Sequence, residues 1–307
     1  MGRKIPAINF SSKDLRPGTS SWCSVRRDVH QAFLEYGCFE AVFDEIQLHH
    51  QLISAIKRLF DLPQETKLKH NSNDMYKGYK GNIPGIPLYE SVAIHNLCNP
   101  EPLQCFTDLM WPKGKNSGFS KTVYSYLTQV KDIGAVVMRM ICESFGLESY
   151  TDSLVESTDY ILRLMKYSAP NTEQNSLGLI QHQDKSFFTV LSENQVHGLE
   201  LQTKDGEWIL AELSPSSFIV LIGEHLKAWS NNRLHCPYHR VIVKGDSARY
   251  SMGLFAIVTG TIQTPEELVD EEHPLLYKPF DHVAYHDYCN SEQGLMSKST
   301  LDDFCGV

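Results

Sequence analysis

The chain has 307 residues, of which 42% are hydrophobic and 21% are charged, and its formal net charge is −9. Such a chain can bury one large core or two smaller ones. The acidic balance argues against nucleic-acid binding, because neutralising phosphates requires a basic surface. A membrane span is not expected either, since no apolar run approaches the roughly 18 residues that crossing a bilayer needs.

The first half of the chain is predicted to be mostly helical. Apolar residues recur at helical spacing over 22–36 and 45–60, and a longer helix is predicted over 120–145. The stretch "GYKGNIPGIPLYES", residues 78–91, is rich in glycine and proline. We therefore expect a loop there.

From residue 160 the apolar period changes to two, which indicates β-strands. The predicted strands are short and closely spaced, at 160–167, 187–192, 198–203, 207–210, 217–222, 238–243 and 249–258. Asp205-Gly206, between two of them, is a strong hairpin signal. Several short strands with close turns predict a sandwich or barrel, here an all-β core with flanking helices.

The stretch "LIQHQDKSFF", residues 179–188, places His182 and Asp184 two residues apart on the approach to a buried strand. Side chains two apart on a strand share a face, so the imidazole and the carboxylate are expected to point the same way. His-x-Asp also occurs by chance, and a hydrogen-bonded pair at a strand end is the alternative. The segment "CPYHRVIVKGDSARYSMGLF", 236–255, favours a metal site, because a second histidine opens a strand there and Arg-x-Ser follows.

Two imidazoles and one carboxylate can occupy one face of octahedral Fe(II) and leave three adjacent positions open. A 2-oxo acid can fill two of these positions and dioxygen the third. The second carboxylate of 2-oxoglutarate then needs a fixed cation, and the planar fork of arginine meets a carboxylate at two points. The metal ligands predicted in this way are His182, Asp184 and His239, and the co-substrate clamp is Arg249 with Ser251. A Zn(II) hydrolase is the alternative, but it would leave the clamp unexplained.

At these residues the chain resembles the plant 2-oxoglutarate and Fe(II)-dependent dioxygenases. "KIPAINF" at 4–10 resembles the opening strand of that family, and "EYGCFEAVFDEI" at 35–46 resembles the strand beside it. The C-terminal half carries His-x-Asp, a second histidine followed by Arg-Val, and Arg-x-Ser in the family's order. Stretches such as "FDLPQETK", "RLMKYSAP" and "AWSNNRLHCPYHRV" are similar to the branch that contains the glucosinolate side-chain dioxygenases and some steroidal-alkaloid hydroxylases.

The resemblance implies a double-stranded β-helix, a jelly roll of the cupin-like kind, folded as one compact unit. Residues 1–118 would form an N-terminal helical and strand region with a substrate-lid loop. Residues 119–307 would form the catalytic jelly roll with its long supporting helix and a C-terminal helix. Tyr167 matches a tyrosine that commonly reaches the co-substrate, but Met165 stands where many relatives have the companion asparagine.

The resemblance also implies an activity. We expect oxidation, most often hydroxylation, of a small plant specialised metabolite, with release of succinate and carbon dioxide. Fe(II) and 2-oxoglutarate would be required, with dioxygen as the second co-substrate and ascorbate as a supporting reductant. Asp184 favours hydroxylation, because halogenating relatives lack that carboxylate. The alternatives are an oxidase of an auxin-like acid hormone and a catalytically silent small-molecule receptor on the same fold.

Substrate contacts are predicted from strand alternation and from the family. Phe255 follows Ser251 by four residues, and Arg163 precedes Met165 by two, so both are expected to face the substrate. Loop 75–91 is the expected cover. The alternatives are a core position for Phe255, a solvated charge for Arg163 and a surface loop without a role in the site for residues 75–91.

The eight cysteines are scattered and form no Cys-x-x-Cys pair. This usage is typical of a reduced protein whose thiols pack as small apolar groups. The start "MGRKIPAINF" contains no apolar signal core. We therefore expect a cytoplasmic monomer without nucleic-acid or membrane partners.

Overall fold

The structure is a computed structural model that describes residues 3–44, 49–72, 74, 76–97, 99–112, 117–170, 176–215 and 217–307. Its α-helices are α1 (Ser20–Glu35), α2 (His49–Phe60), α3 (Gln64–Lys67), α4 (Glu101–Met110), α5 (Ser117–Ser144), α6 (Thr151–Glu156), α7 (Glu224–Trp229), α8 (His282–Asn290), α9 (Glu292–Met296) and α10 (Thr300–Cys305). Its strands are β1 (Ala7–Asn9), β2 (Cys38–Val42), β3 (Gly78–Gly81), β4 (Tyr89–Ile94), β5 (Thr158–Tyr167), β6 (Leu177–His182), β7 (Phe188–Glu193), β8 (Leu199–Gln202), β9 (Trp208–Leu210), β10 (Ser217–Ile222), β11 (His239–Ile242), β12 (Arg249–Val258), β13 (Thr261–Ile262) and β14 (Phe280–Asp281).

Two sheets make the body of the molecule. The major sheet has eight strands in the order β1-β2-β10-β7-β12-β5-β4-β3, and the minor sheet has four in the order β6-β11-β8-β9. Every pair in both sheets is antiparallel except β1–β2, which is parallel. The predicted all-β core with flanking helices, a jelly roll, is confirmed.

The strands of the major sheet bury both of their faces. On one face, alternate residues such as Leu162, Val190 and Met252 pack with the helices in the larger apolar cluster. On the other face, residues such as Met165, Leu191 and Ile219 pack with Leu199 and Val241 of the minor sheet. This second cluster therefore lies between the two sheets, and it encloses the site described below.

The predicted helices match α1, α2 and α5 to within a few residues, although residues 45–48 of the second prediction lie outside the described residues. In α1 the Thr19 side chain accepts a hydrogen bond from the Trp22 backbone N–H at 3.2 Å, which caps the first turn. The helix is followed by Gly37, whose φ is +66° and where a Cβ would lie 2.1 Å from the carbonyl oxygen of His235. No larger side chain fits at that turn.

The prediction of a loop over 78–91 is wrong in part. Residues 78–81 and 89–94 form an antiparallel pair, β3 and β4, that completes one edge of the major sheet. Pro84 and Pro87 both fall in the connection between these strands, so the breaker composition marks that connection alone. Strand β6 also lies outside the predicted strands.

Strands from both predicted regions share one sheet. The strands β1 to β4 belong to residues 1–118, and they continue the same major sheet as β5, β7, β10 and β12. The C-terminal segment contains three short helices, α8 to α10, where one helix was expected. Among the described residues, no helix combines the length and the apolar character that a membrane span requires.

Candidate active site

The three predicted metal ligands meet where β6 ends and β11 begins. His182 is the last residue of β6 and His239 is the first of β11, and the two are partners in the antiparallel register. Their ring centroids lie 4.2 Å apart. Oδ1 of Asp184 lies 3.6 Å from Nε2 of His182 and 3.5 Å from Nε2 of His239. The imidazole of His182 and the carboxylate of Asp184 point toward each other as expected, but Asp184 is not on the strand, because β6 ends at His182 and the carboxylate belongs to the segment that follows.

Each ligand is oriented by a further hydrogen bond. Nδ1 of His182 lies 2.9 Å from the carbonyl oxygen of Ile180, and Nδ1 of His239 lies 3.4 Å from that of Pro237. An N–H on Nδ1 leaves the lone pair on Nε2, the atom that faces Asp184. Thr189 donates from its hydroxyl to Oδ2 of Asp184 at 2.6 Å, while Oδ1 faces the two imidazoles. The ligand atoms of the trio all lie within 4.8 Å of one another, so this donor set fits Fe(II).

The charges of the trio suit metal binding. Burial alone would raise the pKa of Asp184, but the two imidazoles and the Thr189 hydroxyl hold it well below its usual range. Burial and the neighbouring His239 lower the pKa of His182 to about 4. Burial opposes protonation of His239 as well, yet Asp184 raises its pKa above the ordinary histidine value. At neutral pH the site therefore offers a carboxylate and at least one neutral imidazole.

The predicted clamp lies deeper between the sheets. Arg249 is 1% exposed, and its Nη1 donates to the Ser251 hydroxyl at 3.0 Å. Its guanidinium lies 5.2 Å from the centre of the Tyr167 ring, and Tyr167 is its partner in the β5–β12 register. The structure thus brings Arg249, Ser251 and Tyr167 together in one buried group. The Tyr167 hydroxyl contacts Sδ of Met165 at 3.5 Å.

Two residues that no sequence motif indicated extend this clamp. Glu193, the last residue of β7, accepts hydrogen bonds from Nε and Nη2 of Arg249 at 3.0 and 2.7 Å. His197 lies 2.6 Å from the other carboxylate oxygen of Glu193. Alternation along β7 contained a signal, since Glu193 shares the face of Leu191 and Thr189, which are both buried.

Phe255 and Arg163 lie on the face of the major sheet that looks into the space between the sheets. Phe255 is the register partner of Thr189, which contacts Asp184, and Arg163 is the partner of Gly253. Both are partly exposed, although every other residue of β12 and the two chain neighbours of Arg163 in β5 are buried. Arg163 donates to the Ser91 hydroxyl at 3.2 Å and to the Tyr76 carbonyl oxygen at 2.9 Å. It forms no ion pair with a described residue.

Aromatic and imidazole groups that no sequence pattern indicated lie near Arg163. Nε2 of His95 lies 3.2 Å from the same Tyr76 carbonyl oxygen. The Tyr76 ring packs against His286 of α8 with 4.4 Å between ring centroids. His282, one turn earlier in α8, has a pKa lowered to about 4 by burial and by His286. No local pattern joins residues 76, 95 and 286, because they meet only through tertiary packing.

The predicted cover, residues 75–91, borders this space. Ile86 is buried in the cluster between the sheets, and Ile83 and Leu88 pack against that cluster. Tyr76 reaches both Arg163 and α8. Met75, the first residue of the predicted cover, lies outside the described residues.

Two protein-family models match the sequence of this chain. Residues 158–257 match the 2OG-Fe(II) oxygenase superfamily, and residues 5–87 match the model described as non-haem dioxygenase in morphine synthesis N-terminal. A protein of Arabidopsis thaliana named "Probable 2-oxoglutarate-dependent dioxygenase AOP1.2" is 42% identical over 98% of this chain and 95% of its own length. The chain belongs to the 2-oxoglutarate and Fe(II)-dependent oxygenase family. The resemblance found in the sequence is thereby confirmed.

Further relatives agree with this membership. The "2-oxoglutarate-dependent dioxygenase AOP2" of Arabidopsis thaliana is 29% identical, over 99% of this chain and 98% of its own. The crystal structure of a dioxygenase for auxin oxidation from rice has a TM-score of 0.79 and 27% identity, covering 98% of this chain and all of that one. The structure of JOX2 in complex with 2OG, Fe and JA has a TM-score of 0.81 at 24% identity, over 99% of this chain and 89% of that one, and shows the shared fold.

Membership in this family gives the reaction class. The protein is a dioxygenase that uses Fe(II) and 2-oxoglutarate and acts on a small molecule. The trio of His182, Asp184 and His239 is, among the described residues, the group that could hold a metal ion.

Proposed function

We propose that the protein hydroxylates a small plant specialised metabolite, with Fe(II) held by His182, Asp184 and His239. Arg249 and Ser251 bind the distal carboxylate of 2-oxoglutarate, with Tyr167 packed against the guanidinium. The observation that carries this proposal is that a facial set of two histidines and one carboxylate shares an interior with a buried arginine. Bound Fe(II) would supply the coupling of 2-oxoglutarate cleavage, to succinate and carbon dioxide, with insertion of one oxygen atom into a C–H bond.

The residues of the chain position the reactants and keep water away. The hydrogen bonds of Ile180, Pro237 and Thr189 fix the ligand atoms before any metal binds. Arg249 lies in a dry interior, where a charge-assisted two-point contact with a carboxylate is strong. Phe255 and Arg163 form the substrate wall, and the segment around Ile86 covers it.

Two observations support hydroxylation of a specialised metabolite. Asp184 supplies the third protein ligand, which leaves no ligand position for a halide in its place. The similarity to the AOP relatives extends over nearly the whole chain. The test is a screen of plant metabolites with the purified protein, Fe(II), 2-oxoglutarate and ascorbate, in which succinate and the oxidised product are measured together. Ascorbate acts here as the supporting reductant, and its omission is the matched control.

A second candidate function is the oxidation of an auxin-like organic acid. The observation in its favour is Arg163, a partly exposed cation on the inner face of the sheet that has no carboxylate partner among the described residues. A substrate carboxylate would neutralise it. The likeness to the rice dioxygenase for auxin oxidation also supports this candidate. The same screen separates the candidates if it includes neutral compounds and matched carboxylic acids.

We further propose that the protein is a cytoplasmic monomer. The cysteines in the described part of the chain are all free, and five of these seven are buried, which suits a reducing compartment. Size-exclusion chromatography with light scattering tests the monomer, and localisation of the tagged full chain tests the compartment. A silent receptor would bind a metabolite without forming succinate, so the screen also tests that alternative.

A further inference from the structure

A buried carboxylate occupies one edge of the arginine that is proposed to bind 2-oxoglutarate. Glu193 is 1% exposed, and its Oε2 accepts from both Nε and Nη2 of Arg249. A guanidinium has five N–H donors. Glu193 uses two and Ser251 uses a third. One N–H on Nη1 and one on Nη2 therefore have no partner among the described residues, and these two can meet an incoming carboxylate.

The backbone around the Arg249–Glu193 contact is closely packed. Glu193 is the register partner of Ser251, so the carboxylate and the hydroxyl hold the same guanidinium from adjacent strands. After β7, Asn194 donates from Nδ2 to the carbonyl oxygen of Ala248 at 3.1 Å and accepts from the Tyr250 backbone N–H at 2.8 Å. At Gly198 a Cβ would lie 2.7 Å from the carbonyl oxygen of Ile242 and 3.4 Å from Cδ of Arg249. The turn that carries His197 thus packs directly against the arginine stem.

The net charge of the Arg249–Glu193 pair explains why the neighbouring His197 is important. Arg249 and Glu193 together are neutral, which is a poor partner for an anionic co-substrate. Oε1 of Glu193 contacts Nδ1 of His197 at 2.6 Å, and a proton on this imidazole makes the group cationic again. The His197 side chain is 32% exposed, so its proton can exchange with solvent.

We propose that Glu193 and His197 are positioning residues for 2-oxoglutarate. Glu193 fixes the orientation of the Arg249 fork, and protonation of His197 sets the net charge that the distal carboxylate meets. This inference rests on the proposed role of Arg249 in co-substrate binding. Neither residue contacts the metal ligands, and neither takes part in the oxidation itself.

The direction of the pH response follows from the groups that face His197. The hydrogen bond to Glu193 raises the pKa of His197 above the ordinary histidine value; Glu212 acts in the same direction, while burial and Arg249 oppose it. His49 of α2 also faces Glu193, and burial lowers the pKa of its imidazole below the ordinary histidine value although Glu193 opposes this. The extra charge is therefore present below the raised pKa of His197 and is lost as the pH rises through it. Binding of 2-oxoglutarate should weaken over that range.

The test is calorimetric titration of 2-oxoglutarate into the full chain loaded with Mn(II), which allows binding without turnover, from about pH 6 to about pH 8.5. Wild type is expected to lose affinity by about three- to tenfold over this range, the size that one unit charge produces near a partly exposed site. His197→Gln keeps a hydrogen-bond donor but cannot gain charge, so its affinity should lack this additional pH response and match that of wild type at high pH. Its kcat should equal that of wild type, and at low pH its KM for 2-oxoglutarate should be higher than that of wild type.

Variants of Glu193 separate charge from orientation. Glu193→Gln keeps an acceptor for Arg249 but removes the anion that holds the proton on His197, so it should also lose the response. Glu193→Ala lacks the same charge and also removes the contact that orients the fork, so it should bind 2-oxoglutarate about tenfold or more weakly than Glu193→Gln at every pH. The matched control is His273→Gln, because His273 forms a similar pair with Asp270, at 2.9 Å, in an exposed loop. This control should behave as wild type.

The possible results distinguish failure of this inference from failure of the proposed function. If His197→Gln keeps the full pH response of wild type, the inference is overturned while the proposed function stands. If wild type does not bind 2-oxoglutarate at all, the proposed function itself fails. Should Glu193→Ala not fold, His197→Gln still decides, because the side chain of residue 197 is partly exposed and glutamine keeps a hydrogen-bond donor for Glu193.

Discussion

The Thr189 hydroxyl donates a 2.6 Å hydrogen bond to Oδ2 of Asp184 and so leaves Oδ1 facing two histidines. Both residues are buried, at 1% and 5% exposure, which protects this contact from water. Partners of this kind orient a metal ligand and tune its affinity. The contact also links the metal trio to the major sheet, since Thr189 lies in β7.

Thr189→Val keeps the shape of the side chain and removes the hydroxyl, so it should weaken Fe(II) binding by about 10- to 100-fold. Thr189→Ser restores the donor and should recover most of the affinity. Metal titration of the two purified variants checks this, with thermal unfolding as the test of folding. Equal affinity in Thr189→Val and wild type would mean that Asp184 is oriented by something else.

Arg249→Ala should raise the apparent KM for 2-oxoglutarate tenfold or more. Losing a charged two-point partner of an enclosed carboxylate costs on the order of 2–5 kcal/mol, and each tenfold change in affinity is about 1.4 kcal/mol. Removing Arg249 also leaves Glu193 buried without its cation, so folding must be checked. Arg249→Lys is the comparison, because it keeps the charge but not the fork. An unchanged KM in a folded Arg249→Ala variant would assign the co-substrate to another cation.

The sequence predicted the chemistry of the site better than its surroundings. His182, Asp184, His239, Arg249 and Ser251 could be found because each belongs to a short local motif, and strand alternation indicated that Arg249 and Ser251 share one face. The ligand role of this set, and the roles of Tyr167, Phe255 and Arg163, stay predictions until they are tested.

Features that depend on contacts between distant segments could not be predicted in this way. In its local sequence Glu193 looks like a polar residue at the end of a strand. Only the pairing of β7 with β12 shows that it meets Arg249. Tyr76, His95 and His286 come from three segments that touch only after folding. The hairpin of β3 and β4 was missed because glycine and proline in its connection dominated the composition of the whole stretch.

Phe255→Ala should change the KM for the prime substrate or the product distribution, while the affinity for 2-oxoglutarate stays nearly constant. The reason is its position beside Thr189 on the inner face, with part of the ring exposed. Phe188→Ala is the matched control, because Phe188 is 1% exposed in the neighbouring strand and should cost about 3–5 kcal/mol of unfolding free energy. If Phe255→Ala destabilises the protein as much and leaves product formation unaltered, Phe255 belongs to the core.

Arg163→Gln distinguishes acidic from neutral substrates. If the substrate carries a carboxylate, its KM should rise about tenfold or more in this variant, because a charge-assisted contact is lost. Neutral substrates should be little affected. Arg163→Lys, which keeps the charge, should recover part of the loss. A carboxylic acid substrate whose KM is the same in Arg163→Gln and wild type would rule out this contact.

The central claim is that the trio of His182, Asp184 and His239 performs 2-oxoglutarate-dependent oxidation, and joint measurement of succinate and oxidised product tests it most directly. The purified protein with Fe(II), 2-oxoglutarate and plant metabolites should form the two in equal amounts. His182→Ala should form neither and should bind Fe(II) weakly, whereas His273→Ala, which removes an exposed imidazole in a loop, should match wild type. Near-normal succinate formation with stoichiometric iron in His182→Ala would contradict the account.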